Sequence, residues 1–249
     1  MNTRVAFLLV SSLLLSPLVA AAELTVFAAA SLADSFKEIA PLYTKASGDT
    51  VRFNFGASGN LARQIKEGAP ADVIFSADEL RLDQLAEAGL LLPDTRRSLL
   101  ANTLVLIIPA DRSAPASLAA LTDPAVRRIA LGIPATVPAG TYASDHLKKL
   151  SLWDSVQPKA VFLDNVRAVL AAVESGNVDA GIVYKTDALI SKKIKISFEI
   201  PQDEGPAITY PVAVVKNTAS PEAARRFVNW LAGAEARGVF RRHGFLAAP

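Results

Sequence analysis

Short apolar stretches alternate with amphipathic stretches along the first third of the chain. Residues 24–30 form an apolar run, and apolar positions within 31–44 then recur at helical spacing. Residues 51–55 alternate between apolar and polar as a strand does, 60–67 show a helical pattern, and 73–75 are again strand-like. Strands that alternate with helices in this way predict βαβ units and mostly parallel sheets flanked by helices.

The alternation is interrupted after the predicted helix at 78–88 and resumes in the second half of the chain. An apolar run at 104–109 leads into a proline-containing loop. The second series of predicted strands and helices covers 128–132, 141–150, 159–163, 166–175, 180–184 and 194–200. A late apolar run at 210–215 precedes two predicted helices at 221–232 and 235–243.

The two series predict two lobes, between which the chain crosses twice. Lobe 1 is expected to be discontinuous, formed by residues 23–103 and 208–249, and lobe 2 to be formed by residues 104–207. A single doubly wound sheet is the alternative, because periodicity alone does not separate the two arrangements.

The first 22 residues have a different pattern. Arg4 precedes a short apolar core and an alanine-rich end, which is typical of a secretory signal peptide cleaved near Ala22. An uncleaved anchor helix is the alternative. The 249-residue chain contains no cysteine, which excludes disulfides and a lipid anchor on cysteine. These features predict an exported protein of the periplasm.

Composition narrows the class of protein further. About half of the residues are apolar (51%) and 20% are charged, which is ordinary for a globular protein and excludes disorder. The formal net charge is +2, from 26 basic and 24 acidic side chains that are mixed along the chain. No basic tract indicates nucleic-acid binding.

Four predicted strand-to-helix junctions are rich in small residues and hydrogen-bond donors. They contain Ser31, Ser58, the segment 136–142 and the segment 164–167. In α/β proteins ligands bind beyond the carboxyl ends of strands, and the first turn of a helix offers unpaired N–H groups that suit anions. Ser31 is expected to be an N-cap. A serine at a helix start is usually only a cap, but four such junctions could face one another across a cleft.

The donors at these junctions are mostly neutral. The loops contain no lysine or histidine, and Arg167 is expected to face solvent. Neutral N–H and O–H groups can spread the charge of an anion, but they offer no acceptor to a protonated oxyanion. The pattern therefore favours a fully ionised dianion over hydrogenphosphate.

At these same junctions the chain resembles the periplasmic molybdate-binding proteins of ABC transporters. The resemblance extends from about residue 24 to the C-terminus and follows the family's order. The matching segments are AAASL at 28–32, GASGNLARQI at 56–65, ADVIFSAD at 71–78, VPAGTYA at 137–143 and NVRAVLAAVESGNVDAGIVYKTDA at 165–188. The resemblance implies a type II periplasmic binding protein fold, with a tetrahedral oxyanion held in the cleft between two lobes.

The resemblance also implies a ligand set and a transport role. The family's ligand positions fall on Ser31, Ser58, Ala139, Val166 and Tyr184. Serine hydroxyls, backbone N–H groups and the tyrosine phenol would hold molybdate or tungstate, with no carboxylate coordinating the metal directly. The implied partner is an ABC permease of the inner membrane, served by a monomer that needs no cofactor.

Other functions are weighed against this interpretation. A hydrolase triad would need a histidine beside Ser58, and the only two histidines, His146 and His243, are expected to be exposed on helices. The chain also lacks a histidine pair or cysteines for metal catalysis, so no enzyme is expected. Sulfate has the same charge and shape as molybdate and remains the main alternative ligand. A sensor without transport would use the same fold.

Overall fold

The computed structural model describes residues 21–112 and 117–249. The predicted signal peptide therefore lies almost wholly outside the described residues. Eleven strands form within them: Glu23–Ala29 (β1), Thr50–Gly56 (β2), Val73–Phe75 (β3), Arg97–Asn102 (β4), Leu104–Pro109 (β5), Ile129–Gly132 (β6), Ala160–Leu163 (β7), Ala180–Tyr184 (β8), Ile194–Glu199 (β9), Ile208–Val214 (β10) and Leu246–Ala247 (β11).

Nine helices cover these strands in the described part of the chain. They are Ala33–Ser47 (α1), Ser58–Lys66 (α2), Glu79–Glu87 (α3), Pro138–Lys149 (α4), Trp153–Val156 (α5), Val166–Glu174 (α6), Lys185–Ala188 (α7), Pro221–Leu231 (α8) and Ala234–Arg242 (α9). None of the helices in residues 21–112 and 117–249 combines the length and the apolar character that a membrane crossing requires.

The strands form two sheets, and each sheet with its helices makes one lobe. The six-stranded sheet has the order β11-β4-β10-β3-β1-β2 and the five-stranded sheet the order β7-β6-β8-β5-β9. Helices α1, α2, α3, α8 and α9 pack on the first sheet, and α4, α6 and α7 pack on the second. The expected two-lobed α/β fold is thereby confirmed.

Both sheets are mixed, whereas the sequence predicts mostly parallel ones. In the first sheet β1 pairs in parallel with β2 and β3, but β10 runs antiparallel to β3 and β4. In the second, β6 pairs in parallel with β7 and β8, but β5 runs antiparallel to β8 and β9. The parallel pairs are the βαβ units. Four of the antiparallel strands, β4, β5, β9 and β10, belong to the segments where the chain passes between the lobes, whereas β11, which runs antiparallel to β4, follows the last helix.

The crossing points lie close together in the fold. β4 ends at Asn102 in the first sheet, and β5 begins at Leu104 in the second. The return runs from β9, which ends at Glu199, to β10, which begins at Ile208. Two adjacent connections of this kind form a hinge about which lobes can rotate.

Helix α1 illustrates how the local pattern becomes packing. Phe36, Ile39 and Tyr43 recur at helical spacing, and all three are buried. The ring of Phe36 lies 5.9 Å from that of Phe75 and 6.0 Å from that of Phe240, measured between centroids. The helix ends at Gly48, whose φ of 79° is the left-handed conformation that glycine adopts without strain.

Two helices at the cleft begin earlier than the sequence predicts. α2 starts at Ser58 and α4 at Pro138, against expected starts at residues 60 and 141. The first turns contain glycines or a proline, which are poor helix formers and hide the true start. These early starts bring the first-turn N–H groups to the ends of the strands.

Candidate functional site

A small buried cavity lies between the lobes at the carboxyl ends of the strands. Its free volume is about 10 Å³, at the lower limit of what a single water molecule needs. The cavity is lined by Ala29, Ala30, Ser31, Gly56, Ala57, Ser58, Ala77, Val137, Pro138, Ala139, Asn165, Val166 and Tyr184. The structure thus brings all five residues of the predicted ligand set to one place.

Larger cavities lie elsewhere on the described surface. One of about 280 Å³ borders the hinge beside Thr103 and Gly205, and one of about 730 Å³ lies beside Phe240 and Leu246. Neither has helix N-termini and buried hydroxyl groups converging on it. The small cavity is the better candidate because polar donors, rather than volume, determine an anion site.

Ser58 is the first residue of α2 and is fully buried. Its Oγ accepts a hydrogen bond of 2.9 Å from the backbone N–H of Ala77. Because an amide N–H can only donate, the Ser58 hydroxyl must place its own proton elsewhere. Ser58 lines the cavity, so its hydroxyl is available there as a donor to a bound group.

The sequence predicts that Ser31 caps a helix with its side chain, but in the structure it does not. It lies in a short 3₁₀ turn, Ala30–Leu32, ahead of α1, and no side-chain cap bond forms there. Its Oγ lies 3.1 Å from the Oη of Tyr210, and both groups are buried. The expectation was wrong because a buried phenol from β10, distant in sequence, holds this hydroxyl.

The second lobe contributes two helix N-termini to the cavity. Ala139 lies in the first turn of α4 and Val166 is the first residue of α6; both are buried. The Oδ1 of Asn165 accepts hydrogen bonds of 3.0 Å from the N–H groups of Arg167 and Ala168. Backbone N–H groups in a first helical turn have no acceptor within the helix, which leaves those of Ala139 and Val166 for a bound group.

Gly132 and Gly140 bring α4 unusually close to a strand end. A Cβ on Gly140 would lie 2.1 Å from the carbonyl oxygen of Gly132, inside any permitted contact distance. Glycine is therefore required at this position. The close approach sets the first turn of α4 against β6 and fixes where the Ala139 amide points.

Tyr184 ends β8 and carries the clearest sign of a missing partner. Its side chain is only 1% exposed, and its Oη makes no hydrogen bond within residues 21–112 and 117–249. Burial raises the pKa of the Tyr184 phenol well above its ordinary value, so the group stays protonated and able to donate. A buried hydroxyl without a partner costs free energy, which a ligand in the cavity would recover.

Hydrogen bonds to backbone carbonyl oxygens hold the lobes together beside the cavity. The N–H of Gly59 in α2 donates a 3.0 Å hydrogen bond to the carbonyl oxygen of Thr136, which precedes α4. Arg81 of α3 donates a 2.8 Å hydrogen bond to the carbonyl oxygen of Ala135, and it is paired with Asp78 at 3.2 Å. The structure therefore represents a closed arrangement of the cleft.

Arg167 was expected to face solvent, and this expectation was wrong. Its Nη1 lies 2.7 Å from Oδ2 of Asp34, and its Nη2 donates to the carbonyl oxygen of Ser31 at 3.3 Å. Its Nε lies 2.6 Å from the fully buried carboxylate of Asp187. We call these contacts the Arg167 clasp, because Asp34 and Ser31 belong to the first lobe and Arg167 to the second.

Arg167 places a positive charge near the cavity, because it follows Val166 in α6, but it does not itself line the cavity. Burial raises the pKa of Asp187 to about 7, although the guanidinium of Arg167 acts in the opposite direction. The guanidinium of Arg167, 2.6 Å from Asp187, offsets the negative charge that this carboxylate would otherwise place near the cavity.

The two histidines lie outside the cavity lining. His146 is buried in α4 at 7% exposure, so the expectation that it is exposed was wrong. His243 is partly buried and lies 3.1 Å from Glu38. Neither can act as a base for Ser58. Among the described residues, no cluster of three or more histidine, cysteine or acidic side chains could hold a metal ion.

The described residues that line the cavity thus provide neutral hydrogen-bond donors and no pair of nucleophile and base. Two hydroxyls, a phenol and several first-turn N–H groups converge from both lobes. Such an arrangement can hold a small anion by spreading its charge over many hydrogen bonds. Among the described residues, its lining contains no histidine, lysine or carboxylate that could act as a general acid or base.

Comparison with known proteins gives a consistent result. Residues 24–246 match the family described as bacterial extracellular solute-binding protein. The chain is 43% identical to the putative ABC transporter substrate-binding lipoprotein YvgL of Bacillus subtilis, over 90% of this chain and 86% of that protein. It is 39% identical to the molybdate-binding protein ModA of Escherichia coli, over 90% of this chain and 88% of that protein. The structure is similar to that of the periplasmic molybdate-binding protein of Azotobacter vinelandii, with a TM-score of 0.80, 27% identity, and coverage of 90% and 98%.

Proposed function

Since the chain belongs to the bacterial extracellular solute-binding proteins, we propose that it captures molybdate, and also tungstate, for delivery to an ABC-type importer. Members of this family are binding components of transporters, so the chain is not an enzyme and the oxyanion is a cargo rather than a cofactor. One observation carries the choice of ligand: neutral donors from both lobes, including the unpartnered phenol of Tyr184, converge on one buried cavity.

We assign the ligand contacts to the five predicted residues. Ser31 and Ser58 donate through their hydroxyls, Ala139 and Val166 through backbone N–H groups, and Tyr184 through its phenol. Their shared cavity, their burial and the orientation of the Ser58 hydroxyl support the assignment. The metal is held as an oxyanion, surrounded by hydrogen bonds and not coordinated by side chains.

We also propose that the lobes correspond to residues 23–103 with 208–249, and to residues 104–207. The membership of the two sheets supports these boundaries. Because donors come from both lobes, an anion can reach all of them only when the lobes close, and ligand shifts the population towards this form. The closed surface is what the permease distinguishes from the empty protein.

The family and the pattern of the first 22 residues support a proposal for the place of action. Family members are extracellular, and the relatives named above include a periplasmic protein and a lipoprotein. We therefore propose a periplasmic protein released by cleavage near Ala22, which meets an inner-membrane permease as a monomer.

Calorimetry with four anions tests the choice of ligand. The protein lacking residues 1–22 is titrated with molybdate, tungstate, sulfate and hydrogenphosphate. Molybdate and tungstate should bind at least about a hundredfold more tightly than sulfate, a difference of roughly 2.7 kcal/mol, because their larger tetrahedra reach donors on both lobes. Equal affinity for sulfate would remove the molybdate assignment and leave only a tetrahedral oxyanion.

The two serines provide a second test. Ser31→Ala and Ser58→Ala should each weaken molybdate binding by roughly ten- to a hundredfold, since each removes a donor worth about 1.5–3 kcal/mol to a charged group. Both hydroxyls also bond to the protein, so stability falls as well, and Ser58→Ala leaves the buried Ala77 N–H unpaired. Ser144→Ala is the control, because its buried hydroxyl bonds only within α4 to Thr141. Unchanged affinity in both site variants would place the ligand elsewhere.

A further inference from the structure

Tyr210 lies outside the proposed ligand set but in contact with it. It is fully buried on β10, and its Oη lies 3.1 Å from Oγ of Ser31 and 3.2 Å from Nδ2 of Asn102. Asn102 ends β4 at the hinge. The three side chains form a continuous chain of hydrogen bonds from the hinge to the cavity.

The surroundings of Asn102 determine the direction of each hydrogen bond. Its Oδ1 accepts a 2.9 Å bond from the backbone N–H of Thr103, which fixes which end of the amide is oxygen. Its Nδ2 donates to Oγ1 of Thr186 at 2.9 Å and to Oη of Tyr210 at 3.2 Å. Tyr210 therefore accepts from Asn102, and its own proton is left for the remaining neighbour, Oγ of Ser31.

Ser31 is consequently placed in the same state as Ser58. Each serine oxygen accepts one hydrogen bond from the protein, Ser31 from a phenol and Ser58 from the Ala77 amide. Each hydroxyl proton is then left to point into the cavity. The orientation of the Ser58 hydroxyl depends on a backbone N–H, which no substitution except proline removes. That of the Ser31 hydroxyl depends on the side chains of Tyr210 and Asn102, which can be mutated.

We propose that Tyr210, oriented by Asn102, is a positioning residue that holds Ser31 as a hydrogen-bond donor and so makes the site reject singly protonated oxyanions. This inference rests on the proposed anion site but not on which metal the anion contains. A fully ionised tetrahedral dianion offers lone pairs to every donor in the cavity. The O–H of hydrogenphosphate would face the Ser31 proton instead and find no acceptor there.

Sulfate and hydrogenphosphate form a matched pair for the test. Both are tetrahedral dianions of similar size, and they differ in one proton. Their affinities are measured by displacement of bound molybdate and by direct calorimetry at slightly alkaline pH. In Tyr210→Phe the Ser31 hydroxyl can rotate and accept, so the ratio of sulfate to hydrogenphosphate affinity should fall at least about tenfold, the effect of one hydrogen bond of ordinary strength.

Tyr43→Phe is the control, because Tyr43 is equally buried but bonds to Asp49 away from the cavity. It should lower stability and leave the affinity ratio unchanged. An unchanged ratio in Tyr210→Phe, or an equal fall in Tyr43→Phe, would overturn the inference. Failure of the wild type to bind molybdate would instead overturn the proposed ligand. It would leave this test intact, because direct calorimetry compares sulfate with hydrogenphosphate without using molybdate.

A double-mutant comparison separates positioning from general loosening. If Tyr210 acts through Ser31, Tyr210→Phe should change the affinity ratio in the wild type and leave it unchanged in Ser31→Ala. An equal change in both backgrounds contradicts the inference.

Asn102→Asp is a second variant should Tyr210→Phe fold poorly. The new carboxylate can still accept a hydrogen bond from the Thr103 N–H, and it also accepts one from the Tyr210 hydroxyl. The phenol oxygen is then free to accept, so the Ser31 hydroxyl donates to it and presents its lone pairs to the cavity. The ratio of sulfate to hydrogenphosphate affinity should again fall. The added negative charge weakens the binding of both anions alike, because both are dianions, and so it does not change the ratio. A ratio equal to that of the wild type contradicts the inference.

Discussion

Replacing Gly59 with alanine is expected to weaken molybdate binding by at least about a hundredfold, roughly 2.7 kcal/mol, in a protein that remains folded. In the closed structure a Cβ on Gly59 would lie 2.6 Å from the carbonyl oxygen of Thr136 and 2.8 Å from its Cα. These are backbone atoms of the opposite lobe, so they cannot move aside as a flexible side chain would. The lobes would therefore stay apart, and the donors of the second lobe would be too far from the anion to hydrogen-bond to it.

Stability should not fall with affinity in this variant. Gly59 lies in the first turn of α2, and alanine is favoured over glycine within a helix by up to about 1 kcal/mol. The ligand-free protein should therefore unfold at the same temperature as the wild type or at a higher one.

Gly238→Ala is the matched control for Gly59→Ala. It places a Cβ in α9 at an ordinary 3.6 Å from Arg242, and it should keep full affinity. Small-angle scattering provides the structural readout: the wild type and the control should become more compact on addition of molybdate, and Gly59→Ala should not. Binding by Gly59→Ala within threefold of wild type, or superimposable wild-type profiles with and without ligand, would contradict closure of the cleft.

The second large effect is expected at Tyr184. Tyr184→Phe keeps the ring and its packing against Tyr210, whose centroid lies 5.7 Å away, but removes the unpartnered hydroxyl. Molybdate binding should weaken by about 1.5–3 kcal/mol, the value of a hydrogen bond to a charged group. The ligand-free protein should be as stable as wild type or more so, because a buried polar atom without a partner has been removed. Calorimetry and thermal unfolding measure the two effects.

Tyr43→Phe again provides the comparison. Its hydroxyl bonds to Asp49 at 3.1 Å, and its loss should lower stability while affinity stays unchanged. The two substitutions therefore have opposite expected patterns for the same chemical change. Full affinity in Tyr184→Phe would show that the phenol does not contact the anion.

The sequence could predict the fold class and the place of the site because both depend on local patterns. The helix from Val166 was expected to end at residue 175 and ends at Glu174, since its apolar spacing is strong and Asn165 caps it. The junctions at Ser58 and Ala139 were likewise recognisable from their small residues. Patterns of this kind extend over a few residues, and hydrogen bonds of the backbone follow from them.

What the sequence could not predict depends on partners distant along the chain. Ser31 and Tyr210 are 179 positions apart, and nothing near either residue indicates that their hydroxyls meet. Arg167 looks like an exposed helical arginine until Asp34 of the other lobe is placed beside it. β4 was missed because its Arg97–Asn102 sequence has no clear alternation, and its pairing with β10 determines that it is a strand.

The Arg167 clasp also affects how long a captured anion stays bound. Its contacts with Asp34 and Ser31 join the lobes without passing through the ligand, so they must break before the cleft can open. Each 1.4 kcal/mol or so that they add to the barrier for opening lengthens the residence time about tenfold. The clasp therefore slows spontaneous loss of the cargo between capture and delivery. Opening of the clasp is then a step that has to take place before the anion can be delivered to the membrane transporter.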